Sequence, residues 1–190
     1  MSVDLDACSD GELAALALGG RDAAFAALMR RHQEPIYRLV RAHIGDADEA
    51  LDLVQDCFAA AYRALDRYDP ARPMRAWLST IALNKCRDWG RKRWVRRLFS
   101  STTLDGEAAW VVDERGSPDR IAADRQELAR AARAIANLPT VLKEPLILRT
   151  IEGLSQAETA QVLGISPKAV ETRLRRARER LSRALAEATA

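Results

Sequence analysis

The sequence predicts an all-α protein made of two small helical domains that are joined by a flexible linker. Ala, Leu, Arg and Glu, which favour helices, dominate the 190 residues. No stretch shows the alternation of apolar and β-branched residues that is typical of a strand. Helical periodicity stops near Leu98 and returns at Asp119, and the intervening segment contains Ser100–Thr103, Gly106 and Gly116–Pro118. We therefore expect domains over residues 1–97 and 119–190 and a linker over residues 98–118.

Helix caps, helix-breaking residues and apolar spacing predict the helices of the N-terminal domain. Ser9 and Glu12 form a capping box that opens the first helix. Pro35 is expected to kink or restart the second. The third is predicted from about residue 48 to 65, and its apolar stripe is Leu51, Val54, Phe58, Tyr62 and Leu65. A loop with two prolines follows, and a fourth helix starts near Met74.

Composition excludes several classes of protein. A hydrophobic content of 48% supports a packed core, and no run approaches the ~20 apolar residues of a membrane span. The first twelve residues lack the cationic start of a signal peptide, so we expect a cytoplasmic protein without direct membrane insertion. We find no nucleophile elbow, phosphate-binding loop or metal-ligand cluster, and we expect no enzyme, metal, cofactor or small-molecule substrate. The cysteines Cys8, Cys57 and Cys86 and the histidines His32 and His43 are expected to be structural.

Positive charge is concentrated in two segments of a chain whose net charge is only +3. Residues 85–97 contain seven bases and one acid, and residues 168–183 contain seven bases and two acids. The rest of the chain is therefore acidic overall. Two basic patches favour two contacts with a polyanion, although a pair of solvated helix faces is the alternative.

The second basic patch lies in a predicted helix-turn-helix. Ser155 and Glu158 form a capping box, Gly164 suits the turn, and Ser166 with Pro167 begins a second helix. Ala157, Ala160, Val162 and Leu163 are expected to pack inward from the first of these helices. In the second, Val170, Leu174, Ala177 and Leu181 should face inward and the bases outward. This arrangement predicts a recognition helix for the major groove of DNA, and an ordinary cationic hairpin is the alternative.

The first basic patch interleaves cations with Trp89 and Trp94, which suits phosphate contact and stacking on exposed bases. The alternative is that Trp77 and Trp89 belong to the core. The preceding helix carries Asp48, Asp52 and Asp56 on one face, where like charges weaken an isolated helix. This face favours a basic partner protein, and a solvating face is again the alternative. In the linker, the apolar island Trp110–Val112 could dock on a partner or a domain.

Three blocks of sequence resemble the sigma-70 family of bacterial RNA polymerase sigma factors, in its small extracytoplasmic-function group. Glu49–Phe58 is similar to region 2.2 of that family. Arg75–Asn84, with Arg87-Asp88 and the basic run after them, resembles regions 2.3 and 2.4. Leu138-Pro139 and the segment from Gly153 to Arg178 resemble region 4. The resemblance implies a region 2 helical bundle and a region 4 helix-turn-helix.

The resemblance also implies partners: core RNA polymerase, promoter DNA and an anti-sigma factor. The β′ clamp helices would bind Asp48, Glu49, Asp52, Gln55 and Asp56. The helices between residues 119 and 151 would hold the tip of the β flap. Capture and melting of the −10 element would involve Tyr68, Arg72, Trp77, Asn84, Lys85, Arg87, Asp88, Trp89, Arg91, Lys92 and Arg93.

The same resemblance assigns reading of the −35 element to the second helix of the helix-turn-helix. The residues concerned are Lys168, Glu171, Thr172, Arg173, Arg175, Arg176 and Arg178. Glu171 departs from the basic or small residue of many relatives, and an acid there either accepts a hydrogen bond from cytosine or repels phosphate. The rival function is a stand-alone helix-turn-helix regulator, which would bind its operator without polymerase. The acidic helix and the first basic patch argue against that rival.

Overall fold

The computed structural model describes residues 4–99 and 118–187, and over these residues it is helical without any strand. The all-α prediction is therefore confirmed. The island Trp110–Val112 lies outside the described residues. The helices are α1 (Asp10–Leu18), α2 (Asp22–Ile44), α3 (Ala47–Arg63), a 3-10 turn (Leu65–Arg67), α4 (Met74–Phe99), α5 (Pro118–Ala136), α6 (Thr140–Thr150), α7 (Gln156–Leu163) and α8 (Pro167–Glu187).

Helices α1 to α4 pack into one body around a shared apolar core. Helix α2 lies against α1, α3 and α4, and α3 also packs on α4. Leu13, Leu28, Leu39, Phe58 and Leu83 are buried at its centre. The Ser9–Glu12 capping box is present, as predicted. Burial of this apolar surface is what holds the four helices together, because each would be marginal in isolation.

Three details of the N-terminal body differ from the sequence-based expectation. Helix α2 continues through Pro35, since a proline removes only one hydrogen bond of this 23-residue helix. Leu51 and Tyr62 of the predicted α3 stripe are about half exposed, at 54% and 49%. The buried face of α3 instead combines Val54 and Phe58 with small residues such as Cys57, which let its neighbours approach closely. Helix α4 extends to Phe99, two residues into the predicted linker.

Helices α5 to α8 form a second group, in which α8 packs on α5, α6 and α7. Its core contains Leu138, Leu146, Val170, Leu174 and Ala177, with Leu181 partly buried against it. The caps and the glycine turn of the predicted helix-turn-helix are present. Ser155 and Glu158 form a capping box, Gly164 has a φ of 64°, and Ser166 Oγ accepts a hydrogen bond from the backbone N–H of Ala169. Ala157, however, is exposed, and Thr159 is buried in its place.

The two bodies touch along an extended interface. Helix α2 contacts α5 and α6, and α4 contacts α7. Ile147, Leu148 and Leu154 of the C-terminal body are buried together with the core residues of the N-terminal body. Gly45, whose φ is 81°, ends α2 so close to Ala136 that a Cβ atom at Gly45 would lie 3.1 Å from the Ala136 Cβ. The N-terminal and C-terminal bodies are therefore in direct contact.

Within residues 4–99 and 118–187, no helix is long and apolar enough to cross a bilayer. No group of His, Cys, Asp and Glu within those ranges could hold a metal ion. Cys57 and Cys86 are buried free thiols, as expected, and Cys8 is half-buried. Burial raises the pKa of the Cys57 thiol to about 12, so at neutral pH it behaves as a small apolar side chain.

Candidate nucleic-acid and polymerase interface

A groove of about 870 Å³ runs between α3 and α4 and joins the acidic helix to the first basic patch. Its α3 wall carries Glu49, Asp52, Gln55 and Asp56 around Leu53. Its α4 wall carries Lys85, Asp88, Trp89, Arg91, Lys92, Val95 and Arg96. Asp52, Gln55 and Asp56 are exposed, as is Asp48 outside the groove. The structure thus brings most of the predicted polymerase-binding residues beside five of the predicted −10 residues.

Trp89 fixes the spacing of these two walls. Its indole Nε1–H donates a hydrogen bond of 2.8 Å to Glu49 Oε2, and the Arg93 guanidinium lies 5.1 Å from its ring centroid. The ring is half-buried against the core. Trp89 therefore ties α4 to α3, and Arg93 already occupies a face that a DNA base would need for stacking. The exposed tryptophan of this segment is Trp94, so of the two tryptophans that the sequence suggested for stacking it is the more accessible.

The loop before α4 has a defined shape that depends on Tyr68. This residue is 9% exposed, and its hydroxyl donates a 2.8 Å hydrogen bond to the carbonyl oxygen of Arg72. Its ring lies 5.3 Å from that of Trp77, centroid to centroid. The Arg72 side chain is exposed and lies 3.8 Å from an Asp69 carboxylate oxygen. Of this group, Arg72 is free to meet DNA, whereas Tyr68 supports the loop from inside.

Arg87 lies on another face of α4 and meets the C-terminal body, and the exposed Asn84 lies beside it. Arg87 Nε donates to Glu144 Oε1 at 2.7 Å, and Arg87 Nη2 donates to Glu144 Oε2 at 2.6 Å. Arg87 Nη1 also donates to Asn84 Oδ1 at 3.1 Å. A guanidinium that makes two parallel hydrogen bonds to one carboxylate has the geometry with which arginine also binds phosphate. Arg87 and Asn84, both predicted to bind the −10 element, therefore already make hydrogen bonds within the chain itself.

Glu144 sits in a buried cluster of charged residues that sequence reasoning missed. It is 5% exposed, and its Oε1 lies 3.6 Å from His43 Nε2. Burial would raise the pKa of Glu144, but the neighbouring His43 and the hydrogen-bonded Arg87 hold it below its usual value. Burial lowers the pKa of His43 and also that of Lys143, whose Nζ donates to the His43 carbonyl oxygen at 2.9 Å.

A second carboxylate crosses the interface beside this cluster. Glu152 is fully buried, and its Oε2 accepts a 2.9 Å hydrogen bond from Arg75 Nε. Burial raises the pKa of Glu152 in spite of that partner. One sequence signal could have revealed Glu144. Ile147 and Leu148 share a face of α6 with Glu144 and are buried with the N-terminal core. Leu146 lies on a different face and packs in the C-terminal core. Helix α6 is therefore apolar on two sides.

The outer face of α8 presents the predicted −35 residues to solvent. Lys168, Glu171, Arg175, Arg176 and Arg178 are exposed, and Thr172 and Arg173 are half-buried. Two of the cations have acidic neighbours on the same helix: Lys168 with Glu171 at 3.0 Å and Arg175 with Glu179 at 2.7 Å. Exposed pairs of this kind contribute little stability and are easily exchanged for another anion. A cationic helix that begins at a Gly turn and faces outward has the geometry of a DNA-recognition helix.

Comparison with known proteins identifies the family. The model of Sigma-70 region 2 matches residues 28–96, and that of Sigma-70, region 4 matches residues 128–181. The chain belongs to the sigma-70 family. The first match contains α3, nearly all of α4 and the groove, and the second contains α7 and most of α8. This sigma factor is therefore an initiation factor for transcription, and its resemblance to the extracytoplasmic-function group is confirmed by its relatives.

Relatives of this sigma factor cover almost its full length. RNA polymerase sigma factor CnrH of Cupriavidus metallidurans is 45% identical over 177 residues, which are 92% of this chain and 93% of that protein. The ECF RNA polymerase sigma factor SigM of Mycobacterium tuberculosis is 32% identical and covers 93% of this chain and 85% of its own.

Two solved structures share the fold of this sigma factor. CnrH in complex with the cytosolic domain of CnrY has a TM-score of 0.69 at 39% identity, over 95% of this chain and 99% of that one. The sigma factor RpoE of Bartonella quintana, in complex with the anti-sigma factor NepR, has a TM-score of 0.71 at 25% identity and covers 85% and 96%.

Proposed function

We propose that this sigma factor binds core RNA polymerase through the exposed acidic face of α3, captures and melts the −10 element with the N-terminal body, and reads the −35 element with α8. The observation that supports the proposal most strongly is the groove between α3 and α4, where an acidic and a basic wall face each other. Domain limits of 1–97 and 119–190 belong to this proposal, with α4 reaching Phe99. In this proposal the sigma factor acts in the cytoplasm by binding polymerase and promoter DNA, without a covalent step.

Polymerase binding is assigned to the acidic side of the groove. Asp48, Asp52 and Asp56 recur every fourth residue, so they lie along one side of α3 in solvent. Repulsion within this row is relieved when a basic surface approaches it, which is the role proposed for the β′ clamp helices. The helices α5 and α6 are assigned to the β flap.

Capture of the −10 element is assigned to α4 and the loop before it. The exposed cations Arg91 and Lys92 supply contacts to phosphates, and Arg72 adds a charge at the loop. Tyr68, Trp77 and Trp89 shape the surface from inside, and Asn84 offers an amide for base edges. Unstacking a base costs a few kcal/mol, which the gain from binding the exposed bases has to offset.

Reading of the −35 element is assigned to α8. Arg173, Arg175 and Arg176 suit bidentate bonds to guanine, and Thr172 suits either base type. Lys168 and Arg178 suit phosphates at the two ends of the contact, and Glu171 suits the amino group of cytosine. Because the related sigma factor RpoE is bound by an anti-sigma factor, we include an anti-sigma partner in the proposal.

Run-off transcription with purified core polymerase and a promoter library tests the proposal. The wild-type chain should direct initiation from a subset of promoters. Asp52→Asn with Asp56→Asn should weaken binding to core polymerase about tenfold or more, because two charge contacts are lost. The matched control, Glu34→Gln with Asp66→Asn, removes two exposed carboxylates outside the groove and should bind as the wild type does. Failure of the wild-type chain to bind core polymerase would contradict the proposal.

A further inference from the structure

Glu49 stands apart from the other acidic residues of α3. Those other carboxylates, which are exposed to solvent, belong to Asp48, Asp52 and Asp56. The side chain of Glu49 is instead half-buried, and its Oε2 accepts the 2.8 Å hydrogen bond from the indole Nε1–H of Trp89. Among the described residues, this is the one hydrogen bond that joins a side chain of α3 to a side chain of α4. A docking surface for polymerase does not explain such a contact.

The start of α3 holds Glu49 in place. Asp46 is the N-cap of this helix, and its side chain accepts a 3.1 Å hydrogen bond from the backbone N–H of Glu49. Glu49 therefore lies in the first turn, where the positive end of the helix dipole favours a carboxylate. The cap fixes the backbone of Glu49 and the dipole favours its charge, so the acceptor that faces Trp89 has a defined position.

Trp89 needs this acceptor because its indole N–H can donate a hydrogen bond and cannot accept one. The ring is half-buried and packs against the core of the N-terminal body. A buried indole usually has a hydrogen-bond partner, since a donor that leaves water without one is destabilising. Glu49 thus holds the ring in one orientation across the groove. Without an acceptor at position 49, the ring would have to turn its N–H towards water.

Arg93 depends on the orientation of that ring. It follows Trp89 by four residues, so the two side chains lie on the same side of α4, and its guanidinium lies 5.1 Å from the ring centroid. A cation at this distance is attracted to the face of an indole. In the described part of the chain Arg93 has no carboxylate partner, although acids line the opposite wall of the groove. The ring of Trp89 therefore restrains the guanidinium and leaves its N–H groups available for a phosphate.

We propose that Glu49 is a positioning residue for promoter binding, which acts through Trp89 to place the Arg93 guanidinium where it meets a phosphate of the −10 element. Trp89 is then a platform for a cation and not a stacking surface for a base. Glu49 lies on the acidic wall of the groove but serves the DNA-binding wall. This inference rests on the proposed role of α4 in binding the −10 element. It reassigns Glu49, which the family resemblance groups with the polymerase-binding residues.

Exchange of the Trp89 indole N–H with water, followed by NMR, tests the contact in the free full-length chain. The sequence contains four tryptophans, and Trp89→Phe identifies the Trp89 signal by removing it. Glu49→Ala should speed the exchange about tenfold, whereas Glu49→Gln, whose amide oxygen can accept the same bond, should keep it slow. Glu34→Ala, the matched control, removes an exposed carboxylate of α2 and should not change the rate. Equal exchange in the wild type and Glu49→Ala would overturn the proposal.

The affinity of the holoenzyme for a promoter tests the functional part of the proposal. The promoter is one that the wild type transcribes in the run-off assay, and each variant is added in saturating excess over core polymerase. Glu49→Ala should weaken promoter binding about fivefold, and Glu49→Gln should restore most of that loss. A charge contact between Glu49 and polymerase predicts instead that both variants are impaired alike. Equal impairment, or an alanine variant that binds as the wild type does, would contradict the positioning role.

A double-mutant cycle decides whether Glu49 acts through Arg93. Arg93→Ala should weaken promoter binding about tenfold, and adding Glu49→Ala should weaken it no further, because the cation that Glu49 places is gone.

Arg72→Ala is the control for this cycle. Arg72 lies before the start of α4, about four helical turns from Trp89, so its effect should multiply with that of Glu49→Ala. Effects of Glu49→Ala and Arg93→Ala that multiply in the same way would overturn the proposal. A wild type that fails to bind core polymerase contradicts the proposed function, whereas the exchange rates, measured without polymerase, judge the Glu49 contact on their own.

Discussion

Asn84 is the residue at which a test of base capture is cleanest. Sequence reasoning gave Asn84 and Trp89 similar weight, but Trp89 is half-buried and bonded to Glu49, so its removal would also loosen α3 from α4. Asn84 is exposed, and its side chain accepts one hydrogen bond, from Arg87. The amide oxygen is therefore available for a base edge once Arg87 has released it.

Asn84→Ala should reduce promoter melting several-fold and leave binding of duplex DNA nearly unchanged, because the amide is assigned to a base that is exposed only after melting. Permanganate footprints on holoenzyme complexes measure the melted bases. Asn137→Ala, which removes an exposed amide from the turn before α6, is the matched control. Equal footprints for the wild type and Asn84→Ala would contradict the assignment.

Burial of His43 makes the stability of the folded chain depend on pH. Burial lowers its pKa, Glu144 raises it, and the positive charges of Lys143 and Arg87 oppose protonation. Since the folded pKa lies below the unfolded value, protonation favours the unfolded or open chain. The contribution of His43 to stability is therefore present above about pH 6.5 and is lost as the pH falls below that value.

The melting temperature should consequently fall between pH 7.5 and pH 5.5, and His43→Gln should show a smaller fall. Glu152 has the opposite sign: because its folded pKa is raised above the ordinary value of 4.5, its protonation adds stability as the pH falls towards 4.5. Glu152→Gln should therefore show a larger fall than the wild type between pH 7.5 and pH 4.5. Thermal unfolding followed by circular dichroism at pH 7.5, 5.5 and 4.5 measures all three chains. Identical falls in the three would rule out this account.

At the scale of elements, the helix-turn-helix was predictable in detail because its signals are local. The Ser155 cap, the positive φ of Gly164 and the position of Pro167 each depend on a few neighbouring residues. The buried face of α3 was only partly predictable. Leu51 and Tyr62 fit the apolar spacing but lie outside, because the position of α2 and α4 decides which stripe is covered.

Ser155→Ala tests how much the cap of α7 contributes. The Ser155 side chain accepts a hydrogen bond from the Glu158 backbone N–H, and the Glu158 carboxylate accepts one from the Ser155 backbone N–H at 2.6 Å. Loss of the hydroxyl should lower the free energy of unfolding by about 1 kcal/mol. Ser182→Ala, at an exposed position within α8, should be neutral or slightly stabilising. Urea denaturation measures both, and equal effects would contradict the role of the cap.

At the scale of the molecule, the closed arrangement was not predictable from the sequence. It depends on partners that lie 57, 77 and 100 residues apart along the chain, and no local pattern specifies such pairs. Lys143 and Glu144 are charged residue types, which are rarely buried unless they are paired, and no neighbouring residue marks their partners. The general plan of two helical bodies with two basic patches was predictable, since periodicity and charge are properties of segments.

The outward charge of α8 predicts a strong dependence of DNA binding on salt. Each cation that neutralises a phosphate contributes a slope of about −0.9 to the logarithm of the binding constant against that of the salt concentration. Arg178→Ala, which removes a cation assigned to a phosphate, should therefore make the slope about one unit shallower, whereas Arg63→Ala, exposed at the end of α3, should not. Fluorescence anisotropy with a 20-base-pair duplex measures the slopes. Equal slopes for the two variants would contradict the placement of α8 on DNA.

Arg87 and Glu144, which form an ion pair in the folded chain, are synthesised at different times. Glu144 follows Arg87 by 57 residues, so a ribosome that adds 5–20 residues per second makes it roughly 3–11 s later. Helices α1 to α4 end at Phe99, so all four are synthesised before that moment. Every newly made molecule therefore passes through a brief nascent stage in which this basic surface has no carboxylate opposite it, close to the nucleic acids of the translating ribosome.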